Sequence, residues 1–406
     1  MTSQENGFTP SERLVAGFCH RSFLRLWTHP NPKGKKEKEL CDCLIVCDRH
    51  VVIISVKDCA YRNTGDTTGW ERWKKKAIEA SMSQIAGAER WLATSDHVER
   101  ADGRIVRLPP HDARLYHRVA VALGANGEVP VEWGDKGKGF IHLCDERSLE
   151  AIFASLDTIT DFVKFLSDTE ALFAGNTQII FSGGGIENLL ALYLEWGEEY
   201  SLSGSTDGVL PDLMVLENDL WTGLSSSKDF KQRQKDLEVS YVWDRLIEHF
   251  TDDLLTDGMF DFQSKEVTQN QLALIEMVKQ PRHNRTQLAK AFLDYLSNSK
   301  SAARVAVGYG GTAFVFMARS SADRDFKVKE LLLRCQIVRA CCPGVTKVVG
   351  IGTDRPGSSA IGHSSDLIYL DFPELTDEQR AVTLKMQEDL GYFKGVSWGE
   401  GSRPCS

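Results

Sequence analysis

The chain has 406 residues, 42% of them hydrophobic and 26% charged, and a formal net charge of −9. Such a length suits two or three domains with their own cores, and the composition is that of an ordinary globular protein. No apolar run approaches the roughly 20 residues that span a bilayer, and the acidic balance argues against a chain that coats nucleic acid over its whole surface.

The acidity is uneven. Residues 1–120 carry 20 Lys and Arg against 15 Asp and Glu, a local charge of +5, which leaves 28 against 42, or −14, for the remainder. An anionic partner therefore fits the N-terminal part, while the acidic C-terminal part suits a protein partner or a second copy of the chain. The opening "MTSQENGFTPSERL" lacks the basic and apolar regions of a signal peptide, so a cytoplasmic location is expected. Ten cysteines in a chain this long read as free thiols in a reducing compartment. Of these, Cys41, Cys43 and Cys47 form the only cluster; odd numbering puts them on one strand face as small buried hydrophobes, without the paired spacing of a zinc site.

In chain order, residues 11–27 predict a helix capped by Ser11, with Leu14, Val15, Phe18, Leu24 and Trp27 at helical spacing. A loop rich in Pro and Lys follows, then two apolar, β-branched runs within residues 39–61. Residues 70–92 predict a helix, "RVAVALGANG" and "GFIHLCDE" two strands, and residues 149–175 one or two helices. This order describes an α/β domain over residues 1–175. Helical patterns dominate residues 176–300, most clearly at 186–202, 240–255 and 284–299. Residues 301–406 return to an α/β pattern. Two strands join through a glycine turn at 303–318, a helix spans 325–342, strands lie at 347–354 and 365–373, and a last helix is capped by Thr376.

The hairpin carries the candidate chemistry. Strict alternation puts Asp42, Leu44, Val46 and Asp48 on one face of the first strand, and Val51, Ile53, Ser55 and Lys57 on the matching face of the second. A two-residue turn at Arg49-His50 would oppose Asp42 to Lys57, bringing a carboxylate, a hydroxyl and an ammonium within a few ångströms. A carboxylate holds a hard cation such as Mg²⁺. The ion stabilises charge on a phosphate and activates water, and a lysine orients that water or neutralises the developing anion.

With these residues, "CDCLIVCDRHVVIISVKD" resembles the core of PD-(D/E)xK nucleases, in particular their nuclease-related (NERD-like) branch. The matches are Glu12 on the first helix, Asp42, Lys57, and Gln84 on the helix that follows, over residues 10–95. Ser55 departs from the pattern, since the family places a metal-binding Glu or Asp there. The resemblance implies a restriction-endonuclease-like mixed sheet flanked by helices, and Mg²⁺- or Mn²⁺-dependent hydrolysis of DNA, with RNA the second candidate, in bacterial defence or DNA processing. Asp42 with Glu12 or Glu39 would hold the metal. Lys57 and Gln84 would join Asp42 in the catalytic group, and Ser55 would contribute at most a weak contact. The alternative is a catalytically inactive relative that binds nucleic acid or protein.

Each residue also has a plainer reading. Asp42 and Lys57 suit a cross-strand ion pair, Glu12 the dipole of its helix, and Gln84 a helix surface. Lys74, Lys75 and Lys76 beside Trp70 and Trp73 fit either a phosphate backbone or a solvated helix face. The glycine runs "SGGGIENLL" and "GYGGTAF" lack phosphate-loop spacing and read as a helix entry and a hairpin turn. His363 and Ser364, near Asp366 and Asp371, carry too little spacing information to mark a hydrolase.

Overall fold

The computed structural model describes residues 9–65, 67–125, 134–135, 137–200, 211–256, 267–298, 301–319, 323–354, 365–372, 374–394, 396 and 398. The chain divides into two compact units, Met1–Lys235 and Asp236–Ser406. The division falls inside residues 176–300, so the stretch expected as a separate helical region is shared between the two. Both units are α/β.

The first unit starts with helix α1 (Pro10–Trp27) and the short edge strand β1 (Thr28–Pro30). Strands β2 (Cys43–Cys47) and β3 (His50–Asp58) form the hairpin. Helix α2 (Thr67–Lys74) runs through a π-helical segment, Lys75–Glu79, into α3 (Ala80–Leu92). A small ribbon of β4 (His97–Glu99) and β5 (Ile105–Arg107) precedes β6 (Leu115–Leu123), β7 (Gly134–Asp135) and β8 (Phe140–Cys144). The six-stranded sheet has the order β1-β2-β3-β6-β8-β7. Its centre is parallel, β3 with β6 and β6 with β8, while β1, β2 and β7 add on antiparallel.

Helices cover both faces of this sheet, which explains why β2 reads as an unbroken apolar run rather than an alternating one. Leu44, Val46, Val51 and Ile53 pack with Trp73, Ala77, Ile85 and Ala88 of the α2–α3 segment. On α1, Phe23 packs 5.0 Å from Phe162 of α5 (Ile159–Ala174) and 5.6 Å from Phe153 of α4 (Glu146–Ser155). The unit continues through β9 (Gln178–Phe181), α6 (Ile186–Glu195), β10 (Leu213–Leu216) and α7 (Leu220–Ser226), with α8 (Lys228–Leu237) reaching the division. Strands β9 and β10 pair in parallel, and the run "SGGG" leads into α6 as a helix entry.

In the second unit α9 (Tyr241–Thr256), α10 (Gln269–Val278) and α11 (Arg282–Asn298) precede β11 (Arg304–Val307) and β12 (Thr312–Ala318). Then come α12 (Arg324–Cys341), β13 (Lys347–Thr353), β14 (Asp366–Asp371) and α13 (Asp377–Leu390), with Thr376 capping α13 as expected. The sheet order is β11-β12-β13-β14. Alternation along β12 divides its side chains between two layers. Ala313, Val315 and Met317 join Leu331, Cys335 and Val338 of α12, whereas Phe314 and Phe316 meet Trp243 of α9 at 5.0 and 6.3 Å. The helices of the expected middle region thus supply half the core of the C-terminal sheet. A side chain at Gly350 would lie 2.6 Å from the Cys335 sulfur, so glycine lets α12 lie close on β13.

Three details differ from the sequence expectations. Helix α1 is capped by Thr9, which forms a reciprocal capping box with Glu12, and Ser11 instead donates its hydroxyl to Asp58. The hairpin turns at Asp48-Arg49, because Asp48 takes a left-handed conformation (φ 53°) that aspartate tolerates better than most residues. Cys41 lies before β2 and packs with Leu40 and Leu44, apart from the strand parity that Cys43 and Cys47 share. No helix among the described residues is long and apolar enough to cross a membrane. His363 and Ser364 lie outside the described residues.

Candidate active site

The observed hairpin register pairs Cys43 with Ile54 and Cys47 with His50. The ladder ends there: the Asp42 N–H reaches the carbonyl of Ile54, the partner of Cys43, so Asp42 is not set directly opposite Lys57. A slip of two residues keeps every side chain on its original face. Asp42, Ser55 and Lys57 nevertheless converge, since Asp42 Oδ2 lies 3.5 Å from Lys57 Nζ and both Ser55 and Lys57 bond Gln84 of α3.

Asp42 is held from all sides. Its N–H donates to the Ile54 carbonyl (3.2 Å), its own carbonyl accepts from Asn31 (3.1 Å), and its Oδ2 accepts the Val56 N–H at 2.8 Å. The Lys57 ammonium lies 3.5 Å from the same oxygen. Lys57 Nζ also donates to Gln84 Oε1 (2.7 Å) and to the Val56 carbonyl (3.1 Å). Ser55, fully buried, donates its hydroxyl to Gln84 Oε1 at 2.8 Å. Gln84 thereby ties α3 to the end of β3.

The carboxylates oppose one another's ionisation. Burial is the main reason the Asp42 carboxyl is raised above its ordinary range, and Glu12 adds to it against the pull of the Val56 N–H and Lys57. Glu39 is raised as well, first by burial and then by Asp42 and Glu12, while Lys57 and Gln84 act the other way. Residue 39 precedes β2, which begins at Cys43, and forms an isolated bridge with Lys33, so it is outside the alternation of the strand. Glu12 takes part through its field, and its Oε2 accepts the Thr9 N–H at 2.9 Å.

Among the described residues no group of three or more His, Cys, Asp or Glu side chains is arranged to hold a metal ion. The charge of Asp42 acts on the Glu39 carboxyl, and Mg²⁺ is commonly held by one or two carboxylates with water and substrate oxygens completing its shell. Asp42 Oδ2, Gln84 Oε1 and the Val56 carbonyl, all within 3.5 Å of Lys57 Nζ, are hard oxygen donors of the kind such an ion takes. The chain matches no protein-family model, no curated protein and no solved structure.

Around this centre, Trp73 Nε1 donates to the Cys59 carbonyl (2.7 Å) and anchors α2 to the chain leaving β3. Trp70 stacks on Trp73 at 5.8 Å with Lys74 over its ring, and Lys75 and Lys76 are exposed. The π-helical segment buries the consecutive residues Ala77 and Ile78, which leaves the lysines outward and turns Gln84 toward Ser55.

Sequence reasoning missed a row of histidines on β3, β6 and β8. His50 Nδ1 and His117 Nε2 are 3.0 Å apart, and His142 Nε2 is 3.1 Å from Glu170 Oε1. Only the pairing of strands distant in sequence brings them together. Burial, helped by His50, lowers His117 to about 3, and burial also lowers His142 and His29. Unfolded histidines take up a proton near pH 6.5 that these folded ones refuse, so stability falls as pH drops below that value. For His117 the fall continues to about pH 3, at up to roughly 1.4 kcal/mol per pH unit. His117→Gln should flatten this acid limb in chemical denaturation between pH 6.5 and 4.5; an unchanged slope would refute the assignment.

Proposed function

We propose that the protein is a divalent-metal-dependent nuclease of the PD-(D/E)xK kind, hydrolysing phosphodiester bonds in DNA first and RNA second. The observation that carries this reading is the meeting of Asp42, Lys57 and Gln84 at one edge of the hairpin, with Glu39 near enough for its carboxyl to feel the charges of Asp42 and Lys57. Asp42 and Glu39 would hold Mg²⁺ or Mn²⁺. When bound, the ion supplies charge neutralisation at the phosphate and an acidified water. Lys57, whose side chain is 29% exposed, reaches solvent and can meet a phosphate oxygen as negative charge develops there. Gln84 positions Lys57, and Ser55 fixes Gln84. The positive balance of residues 1–120 agrees with a polyanionic substrate.

A second reading, a catalytically silent relative that binds nucleic acid or protein, is favoured by one observation. The position on β3 where the resemblance places a second metal-binding carboxylate holds Ser55, and its hydroxyl is engaged with Gln84. The test is cleavage of single- and double-stranded DNA and RNA with Mg²⁺ or Mn²⁺, against the same reactions in EDTA. Metal-dependent cleavage by the unaltered protein supports the first reading. Cleavage that appears only in Ser55→Asp supports the second. Cleavage that EDTA leaves intact removes the proposed centre.

A further inference from the structure

We infer that the Lys57 ammonium and a divalent ion compete for the same oxygens, so that metal enters this site fully only when a phosphate draws the lysine away. The inference rests on the nuclease reading and adds a regulation of the same site. Three oxygens of different origin surround Lys57 Nζ: Gln84 Oε1 at 2.7 Å, the Val56 carbonyl at 3.1 Å and Asp42 Oδ2 at 3.5 Å. An ammonium has three hydrogens to offer and no acceptor, so this shell suits it. The same three groups, an amide oxygen, a peptide oxygen and a carboxylate, are the hard donors that Mg²⁺ or Mn²⁺ takes.

A monovalent cation seated among them repels a divalent one strongly, because the pocket is partly desolvated. Lysine nevertheless has a way out. Its stem is flexible and its side chain partly exposed, whereas Asp42 is fixed by the Val56 N–H and Gln84 by Ser55. A phosphate at the mouth of the site gives the ammonium a second anionic partner. Lysine that turns toward it leaves Asp42 and Glu39 without their counter-charge, and the ion follows. Metal and phosphodiester should then bind with positive coupling, and each must strengthen the other by the same factor. Such a device would keep the empty protein from holding metal tightly while no substrate is present.

The experiment is Mn²⁺ titration of the full chain, followed by calorimetry or electron paramagnetic resonance, without any need for turnover. Lys57→Met keeps the stem and removes the charge; it should bind Mn²⁺ at least tenfold more tightly than the unaltered protein. Lys57→Arg, which keeps a cation, should not, and Asp42→Asn combined with Lys57→Met should lose the gain. A phosphorothioate oligonucleotide resistant to cleavage should raise Mn²⁺ affinity in the unaltered protein and much less in Lys57→Met. Equal or weaker Mn²⁺ binding by a folded Lys57→Met overturns the competition and leaves the nuclease reading standing. Absence of Mn²⁺ binding in every form, with and without the oligonucleotide, overturns the metal-dependent reading itself and the competition with it.

Discussion

Asp42→Asn should reduce metal-dependent cleavage by about 10³-fold or more, equivalent to roughly 4 kcal/mol of lost transition-state stabilisation. Asparagine is the informative substitute because its side-chain oxygen can still accept the Val56 N–H, now 2.8 Å from Asp42 Oδ2, so the ladder at the mouth of the hairpin is kept. Asp42→Ala removes that acceptor as well and leaves a buried donor unsatisfied, at a further cost of about 1–3 kcal/mol in stability. Loss of cleavage in both variants, with only the alanine form markedly less stable, separates the charge from the scaffold. The rise in melting temperature with Mn²⁺, a consequence of binding to the native state alone, should vanish in both. Acid supplies a parallel check. A folded carboxyl raised above its unfolded value binds a proton sooner as pH falls, so metal binding should weaken at a higher pH than ordinary carboxylates would give. Undiminished cleavage by a folded Asp42→Asn protein would put the reaction centre elsewhere.

Much of this site could be read from alternation alone, and the reason is geometric. Facing depends on parity, and Ser55 and Lys57 keep the expected parity within β3 even though the hairpin register moved by two residues. What alternation cannot supply is the turn, which depends on whether Asp48 accepts a left-handed backbone. It also says nothing of Glu39, because the regular strand starts only at Cys43 and the intervening residues follow no period. Glu12 was legible as a residue and ambiguous as a function; Thr9, three positions earlier, completes a capping box that the sequence pattern contains. Gln84 depends on an extra residue in the π-helical turn, which shifts one helix face against the next and leaves no mark in hydrophobic spacing. The histidine row was hidden for a different reason. His50 and His117 are 67 positions apart, and their contact follows from β3 pairing with β6, a fact of topology rather than of local sequence.

The same limit applies with more force in the second unit, where helices were evident from periodicity and the charges buried between them were not. Asp244 on α9 bonds both Arg282 (2.7 Å) and Arg285 (2.6 Å) of α11, and the Arg285 side chain is completely buried. Asp244→Ala should therefore destabilise this unit by about 3–5 kcal/mol, the usual consequence of removing one partner from a buried ion pair. Arg285 would keep its bonds to the Gln280 and Val278 carbonyls, and Arg282 its bond to Ser240. Neither set neutralises charge, so the penalty falls on two desolvated guanidinium groups. The neighbouring Trp243, packed edge-on against Phe314, makes the transition visible as a change in tryptophan fluorescence during urea unfolding. A shift below about 1 kcal/mol would show that water or rearrangement compensates the arginines. The triple replacement Asp244→Leu, Arg282→Met and Arg285→Met should recover most of the loss, because apolar side chains of similar volume need no partner. If it does, Asp244 is retained less for stability than for the register in which α9 meets α11. If the triple variant stays as unstable as Asp244→Ala, the bonds of Arg285 to the helix-end carbonyls are the larger contribution, since methionine removes those too.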